Sequence, residues 1–315
     1  MITTEFYDGQ GLGNQLWSYA SLVSTARHLN FDFGFQSLKR FKGLGLFDLD
    51  YGNRVYGISS RGPGLKLNTA AKYWYKEETV KHHEDESNIS GLDPNLFKIR
   101  DHTKIDGYFQ SEDLILPIKS VLTPAMQIRK YHQIKPNRCV INLRGGEFVH
   151  HPKLFLGFTY YKHAVQRMLD MNPDMEFVVI TDDSMLASEF FPKYEVLSKT
   201  SRNFDSKGRE TFDREKAATD FGILQSAEYL ILSNSSFSWW GAWTNLITKK
   251  VIAPKYWARH NASDGYWSLG DSLTRDWFWQ DINGNLQTYE ECLGEKVKMT
   301  NVSSSRRSSR GDLNK

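Results

Sequence analysis

The sequence predicts an α/β protein built on parallel, doubly wound sheets, and three observations support this fold class. Short apolar runs typical of buried strands alternate with helical patterns through the second half of the chain. At the N-terminus, a strand-like run is followed by a glycine-rich turn and a helical pattern. Polar residues stand directly after several strand-like runs, where sheets of this kind bind their ligands.

Composition sets the size and class of the protein. At 315 residues the chain exceeds one ordinary core, so two domains are expected. With 40% hydrophobic and 14% aromatic residues it can form packed interiors, and its net charge of +3 is too small to predict a nucleic-acid partner. Cys139 and Cys292 show neither a disulfide framework nor metal-ligand spacing, so we expect two interior or half-buried thiols.

The two ends of the chain bear on its location. The N-terminus lacks the basic region and apolar core of a signal peptide, and no apolar run is long enough to span a bilayer. We therefore expect a cytoplasmic protein, with peripheral contact to a membrane face as an alternative. Ser303–Arg310 is basic and of low complexity, which predicts a disordered tail over residues 296–315. A dispensable tail is favoured over one that binds anionic lipid or a partner.

A strand–turn–helix unit opens the chain. Ile2–Tyr7 alternates like a strand, residues 8–15 contain three glycines, and apolar residues recur at helical spacing over Leu16–Ala26. The turn does not match the dinucleotide-binding pattern G-x-G-x-x-G, because Asn14 stands where the pattern needs its third glycine. Ligand contact and a tight turn that needs positive φ both remain open for this segment.

The middle of the chain is less regular. Residues 31–95 show no pattern that assigns their elements. His82–Glu86 contains histidines and acidic residues, but a mixed charged run usually forms a solvated loop, so we expect no metal cluster there. Further along, a strand is predicted at Ile105–Gln110, a helix at Asp113–Leu122, and a helical stretch over residues 124–136 that leads to the second domain.

Strands and helices alternate in the second half, which implies a parallel sheet. The predicted strands are Cys139–Leu143, Phe177–Ile180, Glu195–Leu197, Tyr229–Leu232 and Lys250–Ala253, and the predicted helices are Tyr160–Leu169, Asp213–Ala227 and one that runs from Ser238 through Leu246 and Ile247. Because parallel strands end at one edge of a sheet, the polar residues after three of these strands should converge on one crevice. They are Arg144 and Glu147, Asp182 and Asp183, and residues 234–238.

A serine-rich segment, Ser233–Ser238, lies where the fourth of these strands passes into a Trp-rich helix. The start of a helix offers free backbone N–H groups and the positive end of a dipole, which suits a phosphate. Four small polar residues in a row favour an anion site over the alternative, which is that these serines only cap the helix.

Four segments occur in the order typical of a known family. They are Gly11–Leu16 with Tyr19 and Ala20, Thr181–Asp183, Ser233–Trp243, and Val251–Lys255 with Trp257. On these residues the chain resembles the inverting alpha-1,2-fucosyltransferases that use GDP-fucose, and Ser233–Trp243 matches their signature N-S-[ST]-F-S-W-W-G-A-W nearly residue for residue. The resemblance extends from about residue 5 to residue 260.

This resemblance implies the GT-B architecture, in which two Rossmann-like domains face a cleft and the second domain holds most of the nucleotide. We place an acceptor-side domain at residues 1–135 and a nucleotide-sugar-binding domain at residues 136–295. The implied activity is transfer of fucose from GDP-fucose to a saccharide hydroxyl, as in galactoside 2-alpha-L-fucosyltransferases.

The chain departs from the family at Asn142–Glu147, where the family usually has H-x-R-R-G-D. Arg144 aligns with the first arginine, which related fucosyltransferases place on the donor phosphate. Gly145 replaces the second arginine, while Asn142 and Glu147 replace the histidine and the aspartate. The retained arginine is compatible with activity, and the lost one leaves a different nucleotide sugar as an alternative donor.

Cleavage of a sugar–diphosphate bond builds negative charge on the departing phosphates, and a positive group must meet it. The resemblance suggests that Arg144, the start of the serine-rich helix and Asn14 do this without a metal, since a guanidinium matches phosphate geometry and stays charged. No metal and no cofactor are expected. The predicted site consists of the catalytic residues Arg144 and Glu147 and the donor-binding residues Gly13, Asn14, Asn142, Asp182, Asp183, Asn234, Ser235, Ser236, Phe237 and Ser238.

An inverting transfer needs a carboxylate or histidine within reach of the acceptor hydroxyl, unless the reaction is dissociative enough to need little deprotonation. Glu147 is the first candidate for this general base. The other candidates are His150, His151 and Asp8. Asp182 and Asp183 are expected to contact the ribose or base of the donor, or to cap the following helix, and an acidic metal motif is the competing interpretation.

Two other function classes stay open. One is a GT-B glycosyltransferase with a different nucleotide sugar. The other is a nonenzymatic carbohydrate-binding relative, because the many Trp and Tyr residues suit sugar stacking as well as a core.

Overall fold

The computed structural model describes residues 1–57, 68–77, 80–81, 88–89, 92–128, 134–198, 203–204, 210–257 and 273–298. The predicted loop His82–Glu86 and the basic run Ser303–Arg310 lie outside these residues.

The first sheet is formed by strands that precede residue 107. The described strands of this part are β1 (Ile2–Glu5), β2 (Phe33–Gln36), β3 (Asn53–Arg54), β4 (Tyr73–Lys76), β5 (Val80–Lys81), β6 (Asn88–Ile89) and β7 (Thr103–Asp106). Five of them form a parallel sheet in the order β3-β2-β1-β7-β4, and β5 pairs with β6 as a separate antiparallel ladder. The helices of this part are α1 (Leu12–Leu29), α2 (Glu112–Ile115) and α3 (Lys119–Ala125).

The second sheet is formed by strands that follow residue 137. The described strands are β8 (Arg138–Leu143), β9 (Glu176–Thr181), β10 (Glu195–Val196), β11 (Asn203–Phe204), β12 (Glu210–Thr211), β13 (Tyr229–Ile231), β14 (Lys250–Pro254), β15 (Phe278–Gln280) and β16 (Leu286–Gln287). The sheet order is β10-β9-β8-β13-β14-β15-β16, parallel except for the antiparallel β16, and β11 pairs with β12 apart from it. The helices are α4 (Phe158–Met171), α5 (Ser184–Phe190), α6 (Arg214–Gln225) and α7 (Ser236–Trp243), and residues 289–298 are also helical.

The predicted fold class is confirmed. Both sheets are α/β structures with parallel strands joined through helices, which is the two-sheet arrangement of the GT-B type. The strands predicted in the second half are present within one or two residues, whereas β15 and β16 were not predicted.

Helix α1 is buried along most of its length, including its polar residues. Its serines are accommodated because their hydroxyls donate to carbonyl oxygens of the chain beyond the first sheet, as Ser21 does to Tyr108 and Ser24 to Leu114. The helix ends at Asn30, which adopts a left-handed conformation with φ 54°. An 18-residue helix with so little exposed surface lies between layers rather than on the outside.

Helices α1 and α7 join the two sheets. The Trp17 ring lies 4.4 Å from the Trp239 ring and 4.9 Å from the Trp240 ring, between centroids. Gly13, one turn before Trp17, faces Ser236, so the helices run side by side in the same direction. Their N-termini therefore lie together.

Two helix predictions are wrong at their C-terminal ends. The helical stretch predicted over residues 124–136 is absent from most of its described part, because α3 ends at Ala125 and residues 126–128 and 134–136 have no helical structure. Proline lacks the N–H that continues a helix, and Pro124 stands in the last turn of α3.

The helix predicted through Leu246 and Ile247 ends at Trp243 instead. The Asn245 amide donates to the carbonyl oxygens of Leu224 and Ala227 at 2.7 and 2.8 Å, which turns the chain toward α6. Leu246 and Ile247 are left exposed. Residues 296–298, which were predicted to belong to a disordered tail, are helical, and the rest of the predicted tail lies outside the described residues.

The predicted domain boundary near residue 135 stays a prediction. The sheets divide between β7 and β8, but one hydrophobic cluster contains residues from both, among them Ile2, Trp17, Val140 and Trp239. Cys139 and Cys292 are buried free thiols, as expected. Within the part of the chain that the structure describes, no helix combines the length and apolar character needed to cross a bilayer.

We predict that Gly13→Ala weakens the contact between α1 and α7. A Cβ atom at Gly13 would lie 2.4 Å from the Phe237 nitrogen and from the Ser236 carbonyl carbon, and both are backbone atoms that cannot rotate away. Urea unfolding should show a loss of about 1–3 kcal/mol. Gly11→Ala is the matched control, since a Cβ there meets no atom within 4 Å. Equal stability of the two variants would contradict the prediction.

Candidate functional site

A crevice lies between the carboxyl ends of the two sheets. β1 leads into α1 through residues 6–11, and β13 leads into α7 through residues 232–235. Because the two helix N-termini touch, the edges of the sheets from which they start face each other. We call these edges the first-sheet edge and the second-sheet edge.

The topology of the second sheet points to the same place. From the central strand β8 the chain continues outward through β9 and β10 on one side, and through β13, β14 and β15 on the other. Parallel sheets bind ligands outside the strand ends where the order reverses, here between β8 and β13. At that point the Ser233 hydroxyl donates to Asn142 Oδ1 at 2.5 Å. The three strand ends that were expected to converge are therefore adjacent.

Arg144 follows β8 and reaches the crevice with a side chain that is 31% exposed. Its guanidinium pairs with the Asp182 carboxylate through Nη1 and with Glu147 Oε1 through Nη2 at 3.0 Å. It also stacks 4.8 Å from the centre of the Phe148 ring. The Gly145 N–H donates to the second Asp182 oxygen at 2.8 Å, which fixes the turn after β8 against the end of β9. The cation is thus held in place and still accessible.

Gly145 stands where the related family has its second arginine, and the structure gives a physical reason. A Cβ atom at this position would lie 2.6 Å from Asp183 Cβ and 2.9 Å from Leu186 Cδ2. No side chain fits between the turn and the start of α5 with this backbone. Glycine at this position therefore permits the close packing against Asp183.

The serine-rich segment does not act mainly as a side-chain cap. Ser235 is the N-cap residue of α7, but its hydroxyl accepts no hydrogen bond from the first turn. The Ser236 hydroxyl donates instead to Asn14 Oδ1 at 2.8 Å, and the fully buried Ser238 hydroxyl donates to the Ser235 carbonyl at 3.1 Å. These hydroxyls therefore do not simply cap the helix, which was the alternative to an anion site. Ser235, Ser236 and Phe237 are partly exposed at the crevice.

Two predicted donor-binding residues are buried and tie loops together. The Asn234 amide donates to the Leu154 and Trp257 carbonyl oxygens at 2.8 and 2.7 Å, and so connects the loops after β8 and β14 with the end of β13. Asn142 is held by Ser233. The structure places both residues under the crevice rather than on its surface, and donor contact by either stays a prediction.

The two aspartates after β9 have different partners. Asp183 is the N-cap of α5 and accepts a hydrogen bond from the Leu186 N–H at 3.1 Å, which is the capping alternative. Asp182 instead binds Arg144 and the Gly145 N–H. Contact of either carboxylate with the ribose or base of a nucleotide stays a prediction.

Gly13 and Asn14 bring the first-sheet edge into the site. Asn14 Oδ1 accepts from the Ser236 hydroxyl at 2.8 Å and from the Gln110 amide at 3.1 Å. Gly13 needs to be glycine because Ser236 approaches it closely, and Gly9 adopts φ +82° in the preceding turn. The tight turn with positive φ is therefore present at Gly9, while ligand contact by this segment stays a prediction.

A buried cluster beside β9 was missed in the sequence. Lys216 Nζ donates to the Thr181 carbonyl at 3.0 Å and to Asp220 at 2.7 Å, and the Ser198 hydroxyl donates to the same carboxylate at 2.9 Å. Burial raises the pKa of Asp220, and the Lys216 charge opposes this rise. The i, i+4 spacing of Lys216 and Asp220 is visible in the sequence, but the position of Ser198 is not.

A second cluster, also missed, lies under the first-sheet edge. Lys104 is fully buried and donates to Glu5 at 3.0 Å, with Asp106 at 3.8 Å. Asp106 accepts hydrogen bonds from the Tyr7 hydroxyl and from Trp74 Nε1. Burial, followed by the bond to Asp106, raises the pKa of Tyr7 well above its usual range.

The exposed part of the first-sheet edge contains an ion pair. Arg40 Nη2 lies 3.0 Å from Asp8 Oδ2, and Arg40 Nη1 lies 4.0 Å from Glu5 Oε1. Asp8 is 68% exposed, so it is the surface member of this group.

Comparison with known proteins gives a family and two relatives in sequence. A family model described as glycosyl transferase family 11 matches residues 10–278. The O-antigen biosynthesis glycosyltransferase WbnK of Escherichia coli is 25% identical over 178 residues, or 51% of this chain and 54% of that protein, so the match spans about half of its length. An alpha-1,2-colitosyltransferase of Escherichia coli is 23% identical over 270 residues, or 78% of this chain and 89% of that protein.

Among solved structures, a mutant of Arabidopsis thaliana FUT1 in complex with GDP aligns with 91% of this chain and 83% of that one, at 11% identity and a TM-score of 0.43. An alignment of this quality carries no argument about the site. The family model, by contrast, extends from the glycine-rich turn to β15 and includes both edges of the crevice. The chain belongs to glycosyl transferase family 11.

Proposed function

We propose that the protein is an inverting glycosyltransferase that transfers fucose from GDP-fucose to a saccharide hydroxyl, as galactoside 2-alpha-L-fucosyltransferases do. The observation that supports this best is the position of Arg144. It follows β8 at the reversal point of a parallel sheet, and the neighbouring strand β13 leads into α7, in a chain of glycosyl transferase family 11.

The donor diphosphate would bind where these positive groups meet. Each helix N-terminus is equivalent to roughly half a positive charge, and the two ends add because α1 and α7 start side by side. Arg144 adds a full charge in a geometry that suits phosphate oxygens. When the bond between the anomeric carbon and the phosphate oxygen breaks, the electron pair leaves with the diphosphate, and this arrangement stabilises it without reorganising.

Glu147 and Asp182 would orient the guanidinium. Both carboxylates already bond to Arg144, from the turn after β8 and from the end of β9. Because Glu147 is 71% exposed, solvent weakens its bond to Arg144, and an incoming phosphate can replace it on the guanidinium. Asp182 would keep its place, since the Gly145 N–H also holds it.

A second donor is favoured by one specific comparison. The relative that covers most of this chain is named an alpha-1,2-colitosyltransferase. Colitose is fucose without its 3-hydroxyl, so a GDP-colitose donor would differ from GDP-fucose by one oxygen. The predicted cytoplasmic location, the peripheral membrane contact and the identity of the saccharide acceptor remain proposals.

The first test is a thermal-shift panel with GDP, GDP-fucose, UDP and UDP-sugars. A ligand that binds only the folded state stabilises it by about 2.7 kcal/mol at 100 times its Kd. We expect GDP and GDP-fucose to raise the Tm and the uridine series to leave it unchanged. A response to UDP alone contradicts the donor, and no response to any nucleotide favours the nonenzymatic alternative.

Arg144→Ala should lower the rate of transfer by at least roughly 100-fold, because the leaving diphosphate loses its main fixed charge. Its unfolding midpoint should stay close to that of the wild type, since the side chain is partly exposed. Arg138→Ala is the control. Arg138 lies at the opposite end of the same strand and pairs with Glu176 and Glu195 in the same way. Similar turnover in the two variants would remove Arg144 from the proposed mechanism.

Transfer should continue in EDTA, because the proposal assigns the charge of the leaving group to Arg144 and the two helix N-termini. The measurement is the initial rate after exhaustive dialysis against the chelator, with and without added Mg²⁺ or Mn²⁺. A strict need for either ion would restore the acidic metal motif as the better interpretation.

A further inference from the structure

An inverting transfer places a geometric demand on the acceptor side of the crevice. The acceptor oxygen attacks the anomeric carbon from the face opposite to the departing diphosphate. A group that takes the acceptor proton must therefore lie across the sugar from the phosphate site. This inference rests on the proposed function.

Glu147 does not meet that demand in this structure. Its carboxylate lies 3.0 Å from the guanidinium that would hold the phosphate, which puts it on the leaving-group side of the sugar. His150 belongs to the same short helix, Gly146–His150, and His151 follows it. Three of the four candidate bases thus stand on the second-sheet edge.

Asp8 is the fourth candidate and stands on the first-sheet edge. It follows β1 directly and keeps 68% of its side chain exposed. Arg40 pairs with it at 3.0 Å, and the other guanidinium nitrogen lies 4.0 Å from the buried Glu5 carboxylate. The Arg40 backbone is held as well, because its carbonyl accepts a hydrogen bond from the Gln15 amide at 2.9 Å. Arg40 thus holds an exposed carboxylate at the first-sheet edge.

Two contacts between the halves of the chain lie near Asp8 or its partner Arg40 in the sequence. Gly13, five residues after Asp8, touches Ser236 at the start of α7. Lys42 Nζ, two residues after Arg40, lies 5.4 Å from the centre of the Phe212 ring. The five residues from Asp8 to Gly13 span at most about 17 Å even when fully extended, which sets an upper limit on the distance from Asp8 to the start of α1.

The other carboxylates of this edge are not available. Glu5 and Asp106 are buried and are already bonded to Lys104 and Tyr7. Protonating either would leave a buried lysine without its counter-charge, which is costly.

We propose that Asp8 is the catalytic carboxylate on the acceptor side. The acceptor hydroxyl oxygen forms the new bond to the anomeric carbon while the bond to the phosphate oxygen breaks. The electron pair of that bond leaves with the nucleotide diphosphate, and the hydroxyl proton passes to an Asp8 oxygen and then to solvent. Arg40 positions the carboxylate. A transition state with late deprotonation needs only a weak base of this kind.

The test compares Asp8→Asn with Glu147→Gln in the full-length protein, with Asp101→Asn as control. Asp101 is an ion-paired carboxylate at the opposite edge of the same sheet. Asp8→Asn should lower kcat for transfer at least 100-fold while the Kd for GDP and the slow hydrolysis of the donor by water stay within twofold of wild type. The fall of kcat/KM at acid pH should be absent from the Asp8→Asn variant. Asp8→Glu should restore part of the transfer rate. Asp101→Asn should transfer normally.

Three results would overturn the assignment of Asp8 and leave the proposed function in place. The first is an Asp8→Asn variant that transfers within twofold of wild type. The second is an acid limb that persists in Asp8→Asn and vanishes in Glu147→Gln. The third is loss of GDP binding in Asp8→Asn, seen as a missing thermal shift, which would make Asp8 a structural residue. A wild-type protein that binds no nucleotide would instead contradict the proposed function, and this assignment with it.

Discussion

The contact between α1 and α7 is the constraint on which the rest of the structure depends. Each helix starts at the carboxyl end of its own sheet, and the absence of a side chain at Gly13 lets the two starts touch at Ser236. The tryptophans behind this contact then form a core that belongs to both sheets. This shared core holds one crevice edge in a fixed position relative to the other.

Both edges use one cation between two carboxylates, with different consequences. Lys104 lies between Glu5 and Asp106 and is fully buried. Loss of any one of these groups would leave a buried charge without its partner, and this large free-energy cost keeps the cluster intact. Arg144 lies between Asp182 and Glu147 and is partly exposed, so solvent weakens each pair and a ligand can replace one partner. Similar chemistry gives a rigid support on one side and an exchangeable site on the other.

The sequence predicted most of the second sheet and the convergence of three of its strand ends, because both follow from local patterns. Apolar runs mark β8, β9 and β13, and the polar residues after them are separated from their strands by one or two positions. The sequence did not predict contacts between residues that are far apart in the chain. Asn14 and Ser236 meet across 222 positions, and the Arg40–Asp8 pair joins loops that follow different strands. The helix predicted beyond Pro124 is absent from residues 126–128 and 134–136, where the Ile128 N–H instead donates to the distant Gln225 side chain.

The turn at Gly145 also limits how this chain could exchange residues with its relatives. An arginine there would collide with Asp183 and Leu186, and shortening Asp183 alone would remove the cap of α5 without adding a charge. A larger residue at position 145 therefore requires compensating changes at Asp183 and Leu186, so the three positions act as one unit.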